Sequence, residues 1–388
     1  MGKGSAKKAT DIEVFLRLGQ SPHGAYQDLL KFPPAGIHYT TDAPTGKPTP
    51  NRRLSHTLKL SVWNVLSKAT IPVAVVNAGG AQVVHSTNNF VPITKKPWFV
   101  DSEHVWGLLG FRWGRIASPY YKWQLKSALS ADNCKGVLAW SDAASHTIRI
   151  TVGKKLAGKV RTIRPAIGPR PTVKRRARDT PAFLFVGKRF VEKGGIDLLQ
   201  AYEKVRKKTD AELTIVSDVP MKYREKYERF GDIRFVEPRL SHEVLSREFY
   251  SKSHALVFPT YIDTFGMVVL EAMAHGLPVV STDCLAIPEL CIDGRNGFAV
   301  KRPFPVHDKD GFFLEDRFPK WPDLLGKIER ERDEKFIAGL SERMLLLAED
   351  APQWGRMSKN CVADSQRGRL SVANRNALLG NTYGEAIA

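Results

Sequence analysis

From residue 182 onward, apolar and polar positions alternate between two periods. The runs 183–186, 213–217, 233–236, 254–259 and 277–280 are short and almost wholly apolar. Runs of that length read as strands of a parallel sheet buried on both faces. Between them, 194–207, 221–230, 242–252 and 266–274 carry apolar residues at three- and four-residue spacing, which predicts helices. Gly276 and Pro278 then stop the last of these, as a glycine after a helix followed by proline does. Regular alternation of strand and helix predicts an α/β unit with a doubly wound parallel sheet and right-handed crossovers.

The first half shows the same pattern more faintly. Strands are expected at 12–18, 71–76 and 136–140. A turn at 19–24 precedes a short helix at 25–31, and a second helix is expected at 58–68. Ser141 and Asp142 are candidate caps for a helix after the 136–140 strand. Proline and basic residues at 41–55 predict an exposed loop, and those at 169–181 a linker. Four prolines in 301–322 predict a surface insertion. Residues 323–347 read as helical with a break at Gly339. The expected organisation is a basic tail (1–10), a first domain (11–168), the linker (169–181), a second domain (182–350) and C-terminal helices (351–388).

Length supports that division, since 388 residues are too many for one ordinary domain. A hydrophobic content of 43% suffices for two cores. No run of 18 apolar residues occurs, so no membrane-spanning helix is expected, and the first residues lack the apolar stretch of a signal peptide. Cys134, Cys284, Cys291 and Cys361 have no metal-site spacing and read as reduced thiols of a cytoplasmic protein. The net charge of +19 is the outlier, and it favours polyanions such as anionic lipid or phosphorylated substrates. Residues 114–131 place Tyr120, Tyr121 and Trp123 among Arg115, Lys122 and Lys126, a candidate acceptor or membrane-facing surface. No basic run is long enough to suggest specific nucleic-acid binding.

Candidate chemistry concentrates in two loops of the second half. After the 254–259 strand comes Asp263-Thr-Phe-Gly-Met-Val-Val-Leu-Glu271. A loop that feeds a helix at the carboxyl end of a strand is where α/β proteins hold anions. Backbone N–H groups near Phe265, Gly266 and Met267 are therefore candidates to face a phosphate, and the carboxylates of Asp263 and Glu271 to grip hydroxyl groups. After the 183–186 strand comes Gly187-Lys188-Arg189-Phe-Val-Glu-Lys193-Gly194-Gly195. Its fixed cations are candidates to hold an anion at the end of that strand.

The first of these stretches resembles the E-x7-E region of retaining GT-B glycosyltransferases of family 4, with Asp263 in place of the first glutamate. The second resembles that family's v-G-R-l-x-x-x-K-G loop. Lys193 matches its lysine and Lys188 stands at its arginine. The resemblance implies two Rossmann-like domains with the active site in the cleft between them, and a C-terminal helix crossing back to the first. It implies transfer of a sugar from a nucleotide-diphosphate donor to a glycan, lipid-linked or glycolipid hydroxyl, with no metal and no cofactor beyond the donor. Asp263 would touch the donor sugar and Glu271 the ribose. Lys188, Arg189 and Lys193, with Gly187, would clamp the diphosphate. The turn from Val236 to Leu240 would lie against the base. In the first domain the same resemblance puts Glu103, or with a one-residue slip His104, at the cleft, and leaves His85 at a strand end. The charge alone, and not the resemblance, adds an anionic membrane surface, at the inner face, as a further expected partner. Two alternatives stay open: an epimerase or phosphorylase of the same fold, and a non-catalytic scaffold that binds polyanions. Asp263 for glutamate and Lys188 for arginine are the departures that keep the scaffold in view.

Overall fold

The computed structural model describes residues 11–19, 24–42, 69–112, 114–174 and 180–388. The tail 1–10, the helix expected at 58–68 and most of the 41–55 loop lie outside the described residues. The chain separates into two compact units. One comprises residues 1–140, 144–164 and 375–388; the other comprises 141–143 and 165–374.

The first unit is built on β1 (Ile12–Arg17), β2 (Ile37–Thr41), β4 (Val83–Ser86), β6 (Trp98–Ser102), β7 (Cys134–Ala139) and β8 (Val160–Thr162). All pairings are parallel, in the order β2-β1-β4-β6-β7-β8. A separate parallel pair joins β3 (Val73–Val75) to β5 (Val91–Ile93). Val14, Leu16, Val84 and Val100 are fully buried, as apolar residues of central strands should be. β2 has no counterpart among the expected strands. It is an edge strand burying only alternate residues, so Ile-His-Tyr-Thr-Thr lacks the continuous apolar run that marks the others. The helix Val372–Ile387 joins this unit from Arg375 onward. Tyr383 reaches Tyr39 on β2, His85 on β4 and Phe99 on β6.

The second unit carries β9 (Ala182–Val186), β10 (Glu212–Val216), β11 (Ile233–Val236), β12 (Ala255–Phe258), β13 (Val279–Thr282) and β14 (Gly297–Val300). Their spatial order is β11-β10-β9-β12-β13-β14, every pair parallel. The chain thus winds outward one way from β9 and then the other way from β12. The crevice beyond the carboxyl ends of strands at such a reversal is where doubly wound sheets bind ligands.

Two local expectations are corrected. The 301–322 stretch is no loose surface insertion: Val306, Phe313 and Phe318 are buried and Phe304 stacks on Tyr261 at 5.2 Å. Its aromatics outweigh its prolines. The helical stretch 323–347 breaks at 331–333 rather than at Gly339, giving Trp321–Arg330 and Glu334–Glu349. Asp333 makes the break by capping the second helix, accepting from Phe336 N–H at 2.8 Å. Gly339 stays helical against Val300, whose Cγ1 would lie 3.2 Å from an added Cβ.

Candidate functional site

The loops after β9 and β12 meet at the reversal because two glycines permit it. Gly194 has φ +78°, and a Cβ there would sit 2.0 Å from the carbonyl oxygen of Pro259. No other residue lets the β9 loop lie so close to the β12 loop. Gly266 has φ +91° and would drive a Cβ to 2.4 Å from Ile287 Cδ1, so the turn into the helix Met267–Ala274 also requires glycine.

That approach brings Lys193 to Asp263. The ammonium donates to Asp263 Oδ2 at 2.8 Å and to the Ile262 carbonyl at 2.6 Å. An ammonium has three N–H donors, so these contacts leave capacity for a ligand oxygen. Lys193 is 9% exposed, and a buried cation of this kind needs the partners it has. Asp263 is braced from several sides. Its Oδ1 accepts from Phe265 N–H at 3.1 Å, and its own N–H donates to Cys284 Sγ at 3.2 Å. Burial pushes the Cys284 thiol up to about 11, so it stays protonated beneath the loop. Thr260 Oγ1 donates to the Ile262 carbonyl at 2.8 Å, and Arg302 Nη1 to the Tyr261 carbonyl at 3.0 Å. Of the three amides expected to face a ligand, Phe265 N–H is thus already used by Asp263. The other two, those of Gly266 and Met267, stand at the helix start.

Glu271 lies one turn into that helix, 8% exposed. Tyr250 donates to its Oε2 at 2.9 Å, and His242 Nδ1 stands 3.1 Å from its Oε1. Tyr250 is itself held by stacking on His275 at 5.2 Å. The carboxylate is oriented before any ligand arrives.

Lys188 and Arg189 stand exposed after β9, behind half-buried Gly187. Arg189 has φ +64°, and its Nε pairs with Glu192 Oε1 at 2.8 Å. Glu192 is only 1% exposed; burial raises its pKa although Arg189 and Lys193 both pull it down. Lys188 lines a pocket of about 590 Å3 together with Asp218, Glu237, Pro238 and Arg239, within the size range of small-molecule sites. Val236 and Leu240, half-buried, flank the β11 turn that supplies three of those residues.

The structure therefore brings Lys193 and Asp263 into contact and sets Lys188 beside the β11 turn. Glu103 and His104 lie in the other unit, past the end of β6. His104 is 4% exposed and caps the helix Val105–Leu108, its Nδ1 accepting from Trp106 N–H at 3.0 Å. Glu103 is half-buried. Sequence reasoning passed over Glu192, Asp218, Tyr250, His242 and Cys284. Asp218 carried a readable signal, a carboxylate directly after an apolar strand. The other four are recognisable only through their neighbours. Among the described residues no group of three or more His, Cys, Asp or Glu side chains is arranged to hold a metal ion.

Residues 180–309 match the family described as glycosyl transferases group 1. The matched stretch contains both loops described above. A sulfoquinovosyl transferase of Arabidopsis thaliana is 32% identical over 166 residues, 41% of this chain and 31% of the relative. A D-inositol 3-phosphate glycosyltransferase of Corynebacterium diphtheriae is 34% identical over 74 residues, 19% of this chain and 17% of the relative. The chain thus spans less than a third of the length of these glycosyltransferase relatives. Solved structures share the fold over nearly the whole chain. Anabaena HepE, crystallised with UDP and glucose, aligns at a TM-score of 0.59 and 14% identity, covering 96% of this chain and 100% of HepE. Sucrose-phosphate synthase of Thermosynechococcus elongatus aligns at 0.62 and 17%, covering 96% and 98%. The fold is GT-B, an α/β architecture of two parallel-sheet domains.

Proposed function

We propose that this chain is a retaining glycosyltransferase that moves a sugar from a nucleotide-diphosphate donor to an acceptor hydroxyl. One observation carries the reading. Lys193 and Asp263, from loops 70 residues apart in sequence, meet at 2.8 Å where the sheet order reverses. A cation for the leaving diphosphate and a carboxylate for the sugar hydroxyls are thereby adjacent.

In this reading the diphosphate takes the remaining donor capacity of Lys193, with Lys188 and the start of the helix Met267–Ala274 beside it. Glu271, held by Tyr250, receives the ribose hydroxyls. The base occupies the pocket at Glu237, Pro238 and Arg239. The acceptor oxygen bonds to the anomeric carbon as the bond from that carbon to the phosphate oxygen breaks. The attack comes on the face the diphosphate leaves, and the departing phosphate takes the hydroxyl proton. Fixed cations and oriented amides stabilise the developing charge without rearranging, the work a divalent ion does in other transferases. We assign Glu103 rather than His104 to the acceptor side, because the Nδ1 of His104 is engaged in its helix cap. The acceptor is a glycan or a lipid-linked hydroxyl, and the protein works in the cytoplasm at the inner face of a membrane.

Thermal melting with UDP, GDP and ADP tests the donor site directly. A ligand at one hundred times its Kd adds about 2.7 kcal/mol to stability, so one of the three should raise Tm by several degrees. Lys193→Ala and Glu271→Ala should abolish the rise and the accompanying donor hydrolysis. A flat response to all three nucleotides, or an unchanged response in Lys193→Ala, overturns the reading.

A further inference from the structure

We propose that one face of the first unit, centred on the helix Pro119–Ser130, is a docking surface for anionic lipid. The proposal sharpens the membrane part of the reading above and is independent of sugar transfer.

The helix buries Leu125 and Leu129 and exposes Tyr120, Trp123 and Lys126. There Trp123 is 62% exposed and Tyr120 50%, and the two rings stack at 6.3 Å. Phe111, in the preceding loop, is 52% exposed. The neighbouring β3–β5 pair adds Val75 and Ile93, side by side in register and 82% and 53% exposed. These elements are tied together. Gln124 bonds Ile71 N–H and the Ala69 carbonyl at the approach to β3. Arg115 bonds the Thr70 and Leu109 carbonyls while lying 4.2 Å over Tyr121. Asn133, past the helix end, bonds the Thr94 and Lys96 carbonyls just beyond β5. Exposed apolar groups grouped in this way mark interaction surfaces.

Charge selects the partner. Between Asp42 and Asp132 the chain has only two acidic residues, Asp101 and Glu103. Asp101 is buried against Tyr26 and Glu103 is half-buried. Lys95, Lys96, Arg112, Lys122 and Lys126 stand near the apolar groups in sequence, and exposed Asp132, past the helix end, is therefore the first exposed carboxylate after Asp42 among the described residues. Aromatic rings with an apolar body and a polar edge settle at the headgroup level of a bilayer, and lysines reach its phosphates. A second copy of the same face would set lysines against lysines. Single-stranded nucleic acid binds by stacking bases on ring faces, and the Val75 and Ile93 part of this surface offers nothing for a base to stack on.

Co-sedimentation with phosphatidylcholine vesicles, with and without about 30% phosphatidylglycerol, tests this. Binding is expected to the anionic vesicles alone at low salt and to fall steeply at high salt, where surface charges are screened. Each lysine is worth about fivefold in affinity, so Lys122→Glu with Lys126→Glu should weaken binding more than tenfold, as should Tyr120→Ser with Trp123→Ser. Lys309→Glu, in the second unit, should change it little. Unaltered Tm and an unaltered nucleotide-induced Tm shift in the same variants separate loss of this surface from loss of fold or donor site. No sedimentation at low salt, equal binding to neutral vesicles, indifference to both double substitutions, or tighter binding to single-stranded RNA overturns the proposal.

Discussion

The two units are built from the same parts and put polar groups to opposite use. Each is a six-stranded parallel sheet with helices between its strands. In the second unit the chain reverses its winding between β9 and β12, and the strand tips there carry Lys193 and Asp263. In the first it reverses between β1 and β4, and the polar groups near that reversal are sealed inside. His85 Nδ1 lies 2.7 Å from the Tyr383 hydroxyl, and His85 Nε2 lies 3.5 Å from Asp101 Oδ2. Tyr26 donates to Asp101 at 2.6 Å. Tyr383 comes from the C-terminal helix, so that end of the chain is stitched into the first sheet. A shared topology supplies a crevice, and the residues at its rim decide whether it holds a ligand or the protein itself.

The contrast can be broken most severely at Gly194. Gly194→Ala forces a Cβ against the Pro259 carbonyl at an unfavourable φ and should cost about 3 kcal/mol or more. Urea denaturation should show the loss, and a nucleotide-induced Tm shift should vanish in whatever folds. An alanine variant as stable as the parent would mean the two loops are not held together as described.

A pH effect of nearly the same size is expected in the second unit. Burial raises Asp197 from 3.8 to about 6, although Arg332 and Tyr261 favour its charged form. Because the folded pKa is the higher, its contribution to stability is full below about pH 4 and is lost as pH rises through 6. Against Asp197→Asn, the parent should therefore lose roughly 3 kcal/mol of relative stability between pH 4 and 7. Paired urea melts across that range decide it, and a constant difference would contradict the shift.

Tyr383→Phe removes the hydroxyl shared with His85 and Tyr39, the latter at 3.2 Å. It should cost about 1–3 kcal/mol, as for a buried partner left unsatisfied. It should leave the nucleotide-induced Tm shift unchanged, since its role is structural. A lost shift with unchanged stability would reverse the comparison. The smallest effect on stability is expected at exposed Lys188. Lys188→Ala should move stability by less than about 0.5 kcal/mol yet weaken nucleotide binding, and intact binding would remove Lys188 from the site.

The second unit was legible in the sequence because its central strands β9 and β12 are buried along almost their whole length and appear as uninterrupted apolar runs, whereas the edge strand β14, half-buried at Ala299 and Val300, was not foreseen. Gly266 was visible as the glycine that opens a helix, but the need for glycine at Gly194, expected only as a helix start, came from its close approach to Pro259. The first unit was fainter for physical reasons. β2 is an edge strand, and β3 and β5 are three residues each. The 301–322 stretch was misread because proline content reports chain stiffness, not burial; Phe313 and Phe318 pack inside.

The sequence alone determined where five of the six strands of the second unit's sheet fall and which loops carry cations and carboxylates, because periodicity and glycine placement are local properties. Only the tertiary structure decided what those groups do to one another. It set Lys193 on Asp263, tied Arg189 to a buried Glu192, fixed Glu271 with Tyr250 and engaged His104 in a helix cap. Each pairing joins a side chain to a particular neighbour at a particular distance. Which neighbour it meets is decided by how the strands order in the sheet and how each turn aims the chain, and that geometry leaves no periodic trace in the residues themselves.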